Sequence, residues 1–342
     1  MKIHILFKIM DEPTGGGNKF LKALKRYLQS IQRYEDDIQK ANVILFNSHH
    51  SIETMAKIKL KYPDKIFVHR IDGPMRLYNT RNDRRDDIVF AANKYLADAT
   101  IFQSSWSRQQ NHRQRLPQNL SETVIPNAPD PSIFNRYDKT EFSASRKIKL
   151  IATSWSANWN KGFATYQWLD ENLDFDKYEM LFIGNSPISF KNIKYMPPVT
   201  TKEIARKLKE NDIFIFASPI EACSNSLLEA MHCGLPAIAA SGSSNPELIG
   251  KGGEIFSRPE EIPALLEKII KNYHQHQANI AVPSIEEVGE QYYYFMTEVY
   301  NKVQSGRQKN KSFGLMDFIT VQTQLCYLKL CGFIGRLLIK QP

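Results

Sequence analysis

Short apolar runs rich in β-branched and aromatic residues alternate along this chain with longer segments of helical spacing, and the alternation comes in two successive series. Runs of that kind are strands buried on both faces, and the segments between them are the helices that cover those faces, so the fold class is α/β with parallel sheets. In the first series the strand candidates are Ile3 to Ile9, Val43 to Asn47, Ile66 to His69, Thr100 to Gln103 and Thr123 to Pro126. Helices are expected at Asn18 to Leu28, Ser51 to Leu60 and Ile88 to Leu96. The second series follows a polar, charged stretch, Asn135 to Lys147, and its strands are Ile148 to Thr153, Tyr178 to Ile183, Ile193 to Met196, Ile213 to Ala217 and Pro236 to Ala240. Its helices fall near Phe163 to Leu169, Thr201 to Lys209 and Ser226 to His232.

Each series is expected to form one Rossmann-like, doubly wound domain. Two such domains facing one another leave a cleft at the carboxyl ends of their strands, where open α/β sheets bind ligands. The expected division is residues 1–140 and 141–284, with the linker near 136–146. A helix packed on the body follows at 285–303, then a basic amphipathic tail at 304–342. A length of 342 residues suits two domains at roughly 100 to 200 residues each. With 42% hydrophobic and 24% charged residues, disordered, collagen-like and coiled-coil readings are set aside.

Charge is informative once it is located. Of the net +9, residues 301–342 hold +6, with seven basic side chains (Lys302, Arg307, Lys309, Lys311, Lys329, Arg336 and Lys340) against Asp317. The rest of the chain lacks the broad basic face that binding a phosphate backbone requires, so no nucleic acid is expected as a partner. The opening residues are apolar for too short a run to be a secretory signal, and no stretch of 18 apolar residues marks a conventional membrane span. Four cysteines, Cys223, Cys233, Cys326 and Cys331, show no paired spacing, so neither a disulfide framework nor a structural zinc site is expected. A cytoplasmic location fits this usage.

The most informative stretch is Ile213 to Ala240, IFIFASPIEACSNSLLEAMHCGLPAIAA. A buried strand ends near Ala217, a loop carries Glu221, a helix starts near Ser224 to Ser226, and Gly234 stops it. Seven residues separate Glu221 from Glu229, which puts one carboxylate in the loop and the other about one turn into the helix. Ser226 with Glu229 also satisfies a capping box, so Glu229 is open to a purely structural reading. The small residues Ala222, Cys223, Ser224, Asn225 and Ser226 lie where backbone N–H groups are free at a helix start, which favours an anionic or polyhydroxyl ligand.

This stretch, followed by SGSSNPELI, resembles the signature of the family 4 retaining glycosyltransferases, which have two Rossmann-like domains in the GT-B arrangement and a Glu-x7-Glu motif. Further matching segments are the glycines at 15–17, ADATIFQSSWSR at 97–108, VIPNAPDPSIF at 124–134, WNKGF at 159–163 and FIGN at 182–185. The likeness spans about residues 1–300, stronger in the second half than in the first, and is absent from the tail.

The resemblance implies residue roles. Glu229 would accept hydrogen bonds from the nucleotide ribose, and Glu221 would face the donor sugar on the reacting side. Ala222 to Ser226 would offer backbone N–H groups to the sugar or diphosphate. Lys161 would neutralise the leaving diphosphate, although an exposed loop lysine is the plain alternative. The family's second basic residue is missing, since Ser154 to Asn158 reads SWSAN, so Ser156 and the Gly15 to Gly17 backbone are expected to share diphosphate binding. Those glycines, Gly16 and Gly17 among them, depart from GxGxxG and would let the backbone approach a ligand, although a tight strand-to-helix turn would also explain them. His69 would touch the donor sugar from the N-terminal, acceptor-side domain, with Asp72 beside it; a strand-ending hydrogen bond and a turn former are the alternatives. Asn127 is expected to shape the interdomain crossing.

Two other features of the sequence have plainer explanations than a site. Asp174 and Asp176 form a D-x-D pair, which elsewhere holds a divalent metal, but they fall in a polar connection, so no metal is expected. Cys223 has no histidine partner in sequence and is not read as a nucleophile. In the tail, Gln322, Lys329, Arg336 and Lys340 share one helical stripe with apolar residues over most of the remainder. This implies either an interfacial helix on an anionic membrane or a helix packed on protein.

The resemblance therefore implies a retaining, metal-independent glycosyltransferase without a cofactor. It would move a sugar from a nucleotide-diphosphate-sugar donor to a glycan, lipid-linked or other hydroxyl acceptor, in polysaccharide or glycolipid synthesis, in the cytoplasm or peripherally on the inner face of the membrane. The alternatives are a nucleotide-sugar epimerase of the same architecture and a noncatalytic GT-B-like membrane or assembly protein.

Overall fold

The computed structural model describes residues 1–10, 16–79 and 83–339, with the side chains of residue 329 and residues 331–339 excepted. Gly15 and Lys340 lie outside the described residues, as do the side chains of Lys329, Arg336 and Cys331. Contacts divide the chain into two units: one is Met1–Ile9, Leu24–Pro126 and the chain from Glu286 onward, and the other is Met10–Ala23 with Asn127–Ile285.

The first unit is built in chain order from β1 (Ile3–Leu6), α1 (Gly16–Ser30, of which the first turns group with the second unit), β2 (Val43–Asn47), α2 (Ile52–Lys61), β3 (Ile66–Ile71), α3 (Met75–Tyr78), α4 (Arg85–Leu96), β4 (Ala99–Phe102), α5 (Ser105–Arg113) and β5 (Glu122–Val124). Its five strands are parallel and neighbour one another in chain order. Every residue of β2, β3 and β4 is buried, as both faces of a parallel sheet require. On one face, Ile44, Phe46 and Phe67 pack beneath Met55 and Ala56 of α2 and Ala92 and Leu96 of α4.

In the second unit come β6 (Ile148–Ser154), a 3-10 turn (Trp159–Lys161), α6 (Phe163–Asn172), β7 (Tyr178–Gly184), β8 (Lys194–Met196), α7 (Thr201–Lys209), β9 (Ile213–Phe216), α8 (Asn225–His232), β10 (Ala237–Ala240), α9 (Asn245–Ile249), β11 (Gly253–Phe256), α10 (Ile262–Lys271) and α11 (Tyr273–Ala278). All six strands are parallel, in the order β11-β10-β9-β6-β7-β8. The order reverses between β6 and β9, which makes this sheet doubly wound. Side-chain alternation splits its core in two: Leu150, Ala152, Ile213 and Ile215 face α6 and α10, whereas Ile151, Phe214 and Phe216 face α7 and α8.

Two differences from the sequence reading concern connections. The chain passes between units at Pro126–Asn127, ahead of the polar stretch, because residues 127–146 are already tied to the second unit. Phe134 is buried in its core, and Arg146 donates to both oxygens of buried Asp212 at 2.7 and 2.9 Å. The chain then returns, since α12 (Ile285–Gln304) and α13 (Leu315–Ile339) group with the first unit from Glu286 on. The segment between these helices is fastened at a buried ion pair: Lys59 and Asp98 lie 3.1 Å apart with both side chains 0% exposed. Asp98 also accepts from the Lys311 backbone N–H at 2.7 Å, and Gln308 donates to the Asp98 carbonyl at 3.0 Å. An ion pair this dry persists only when such additional hydrogen bonds satisfy it.

Candidate functional site

The reversal between β6 and β9 leaves the loops that follow those two strands side by side at the carboxyl edge of the second sheet, the position where open α/β sheets bind ligands. After β6 the chain turns through Trp159–Lys161 and reaches Gly162 in a left-handed conformation, φ +85°. A Cβ at Gly162 would stand 2.1 Å from the Ala217 carbonyl oxygen, so only glycine lets this turn lie against the end of β9. That approach brings the Lys161 ammonium to 2.5 Å from Glu221 Oε1. Ser218 donates to the same oxygen at 2.8 Å, and the Glu221 N–H donates to Ser243 Oγ at 2.9 Å. Buried Asn245 ties the loop down by donating to the Ser218 and Ala240 carbonyls at 2.9 and 3.0 Å.

The helix that follows begins two residues earlier than its capping-box reading requires. Ser224 is the N-cap of α8 and accepts from the Leu227 N–H at 3.3 Å, so Glu229 lies beyond the first turn and is not the partner of a Ser226 cap. Glu229 is buried, 4% exposed, and pairs instead with Lys19 at 2.9 Å. Burial pushes the Glu229 carboxyl above its ordinary range, and the Lys19 ammonium opposes that shift.

Lys19 reaches Glu229 because the start of α1 lies directly against the start of α8. A Cβ at Gly16 would come within 1.9 Å of Asn225 Nδ2, so a side chain there would have to displace the Asn225 amide. Asn18 makes a pair of hydrogen bonds with the Met10 backbone, at 2.8 and 2.9 Å. Two helix starts therefore converge here, each with outward N–H groups and a partial positive charge. Gly17 is half-buried in the first turn of α1.

The remaining sequence candidates of this unit sit in the same loops. Cys223 is buried: its Sγ takes the Asn127 N–H, its carbonyl takes the Asn127 amide, both at 3.3 Å, and so Asn127 fixes the loop behind Glu221. Ala222, Asn225 and Ser226 are partly exposed. Ser156 Oγ accepts from the Asn158 N–H at 3.1 Å and so shapes the loop that carries Lys161.

His69 and Asp72 belong to the first unit. Strand β3 runs on to Ile71, so His69 lies inside it and does not follow it. The ring is 0% exposed and stacks on Phe46 at 4.2 Å; Nε2 meets the Ser48 carbonyl at 2.9 Å, and Nδ1 faces the Asn93 amide at 3.3 Å. Burial lowers its pKa to about 3, so the imidazole is neutral. This is the strand-embedded hydrogen-bonding arrangement, with no surface for a ligand. Asp72 accepts from buried Arg70 at 3.3 Å and from Gln103, and keeps partial exposure.

Asp174 and Asp176 are exposed in the connection between α6 and β7, where Asp174 Oδ1 accepts the Asp176 N–H at 3.0 Å. Among the described residues no group of three or more His, Cys, Asp or Glu side chains has the closeness a metal site needs. Sequence reasoning missed Lys19, Ser218, Ser243 and Asn245. Lys19, Ser243 and Asn245 were marked only by their placement in the GGGNK and SGSSN stretches and Ser218 only by following the strand that ends near Ala217, since nothing in a sequence shows that residues 19 and 229 meet.

Residues 174–275 match the family model for glycosyl transferases group 1. Among solved structures the chain is similar to HepE from Anabaena in complex with UDP, with 14% identity, a TM-score of 0.61, and 90% of this chain and 99% of that chain covered. It is also similar to sucrose-phosphate synthase from Thermosynechococcus elongatus, with 12% identity, a TM-score of 0.56, and coverage of 95% and 82%. A third is a lipopolysaccharide outer core galactosyltransferase, WaaB, with 12% identity, a TM-score of 0.59, and coverage of 90% and 100%. No curated protein matches the sequence. The fold is thus GT-B, an α/β chain with two Rossmann-like sheets, and its second unit carries the group 1 glycosyl transferase match.

Proposed function

We propose that this protein is a retaining, metal-independent glycosyltransferase that takes a sugar from a nucleotide-diphosphate-sugar donor to an acceptor hydroxyl. The observation that carries the proposal is the Lys161–Glu221 pair at the point where the second sheet reverses. The group 1 match over the same unit and the UDP held by the HepE structure support a nucleotide-sugar donor.

On this reading the diphosphate lies over the two converging helix starts, whose N–H groups and dipoles favour anions, with Lys161 beside it. As the bond from the anomeric carbon to the leaving phosphate oxygen breaks, negative charge grows on that oxygen, and the Lys161 ammonium is set to stabilise it. The acceptor hydroxyl enters on the same face, its oxygen bonds the anomeric carbon, and its proton passes to the departing phosphate, which retains configuration. Glu221, positioned by Ser218 and the Ser243 hydroxyl, orients the sugar and supports its developing positive charge. Glu229 has one oxygen on Lys19, and a carboxylate has a second with which to accept ribose hydroxyls.

The acceptors proposed are glycans or lipid-linked saccharides, as in polysaccharide or glycolipid synthesis. The test is product analysis with a panel of nucleotide sugars and saccharide acceptors: a product with the donor's anomeric configuration is expected. An inverted product, or an epimerised donor formed without any acceptor, would exclude the mechanism.

A further inference from the structure

Over its described side chains helix α13 is apolar on two opposite sides, one of which is buried in the fold. Its inner side, Val321, Leu325 and Leu328, is buried; with Phe313 just before the helix, Val321 and Leu325 join the core beneath α2 and α4. That half of the tail follows the packed alternative. On the outer side Leu315, Met316, Ile319, Tyr327 and Leu330 are exposed by 63, 74, 48, 63 and 57%. At helical spacing they form one stripe, where a helix at the surface of a soluble domain ordinarily carries polar residues.

Exposed cations lie on the neighbouring elements. Arg307 and Lys309 are exposed just ahead of the helix, and Lys57, Lys61 and Lys94 are exposed on α2 and α4, the helices against which α13 packs. Residues 315–339 contain a single acid, Asp317, and its carboxylate accepts the Gly314 N–H at 3.0 Å. Among the described residues no helix is long and apolar enough to cross a membrane. An apolar stripe on a helix whose neighbouring elements carry exposed cations is the pattern of a helix that lies in the plane of an anionic lipid surface.

We infer that the outer face of α13 docks this protein onto anionic phospholipid bilayers, with Leu315, Met316, Ile319 and Leu330 entering the headgroup boundary. The surface works independently of the donor chemistry proposed above. Flotation of the full chain with phosphatidylcholine vesicles, with and without one quarter phosphatidylglycerol, tests it. Binding is expected to the anionic vesicles and to weaken at high salt, as screened charges require. Arg307→Gln with Lys309→Gln should weaken it by about fivefold per charge removed. Met316→Asp with Ile319→Asp should weaken it at least tenfold without lowering the thermal midpoint, because both side chains are exposed. Equal or absent binding to both vesicle types would overturn the inference. So would a dimer, seen by light scattering, that Ile319→Asp dissociates, since the stripe would then belong to a second copy of the chain.

Discussion

The Lys161 ammonium and the Glu221 carboxylate lie 2.5 Å apart although 60 positions separate them in the chain, and the glycine next to Lys161 is what allows it. The turn carrying the lysine rests on the backbone at the end of β9, with no room for even a methyl group between them.

Gly162→Ala should therefore damage both stability and activity. The substitution meets a positive φ and a backbone carbonyl at 2.1 Å, so a loss of about 1–3 kcal/mol is expected by chemical denaturation. Gly306→Ala is the control: its φ is +73°, but nothing lies within 4 Å, so the cost should be about 1 kcal/mol with turnover unchanged.

Lys19→Met should uncouple Glu229 from its counter-charge. Burial already raises the Glu229 pKa, so removing the ammonium raises it further. On the proposed reading the carboxylate is the form that accepts the donor's ribose hydroxyls, and donor affinity should therefore fail at a higher pH in the variant than in the wild type as pH is lowered. Binding titrations across pH 5 to 8 check this, and Lys19→Arg should restore most of the wild-type profile.

Acid should destabilise the first unit through His69. Its pKa is about 3 in the fold against 6.5 ordinarily, so between those values the unfolded chain takes up a proton that the folded chain refuses. Stability contributed by the neutral ring is complete above pH 6.5 and falls as pH drops toward 3, at up to about 1.4 kcal/mol per pH unit. His49, lowered to about 4 chiefly by burial, acts in the same direction. Unfolding measured between pH 7 and 4 should show this slope, and His69→Gln should flatten it by about one proton.

Much of the fold was legible where local signals agreed. Val43–Asn47 is a strand with the bounds its apolar run implies, and Thr201–Lys209 is a helix with the expected bounds, its Thr200 cap accepting from the Glu203 N–H. The α5 segment, SWSRQQNHR, has too few apolar residues for periodicity to reveal it, and β11 is a four-residue strand behind two glycines. The Glu221 loop and Lys161 were visible as residue types in a motif. The starts of α1 and α8 were expected, but not that Gly16 would meet Asn225, because contacts across 209 positions leave no local trace. Strand β3 runs two residues past His69, and that turns a strand-end side chain into a core one.

The account stands most directly on binding of nucleotide diphosphates and their sugars to the second unit's edge. A thermal-unfolding panel of these ligands should include at least one that, at 100 times its dissociation constant, adds about 2.7 kcal/mol of stability. Glu229→Ala should abolish that gain, whereas Glu221→Ala should keep it while losing about 100-fold or more in turnover. A panel in which no nucleotide diphosphate stabilises the wild type, or in which Glu229→Ala responds as the wild type does, would contradict the account.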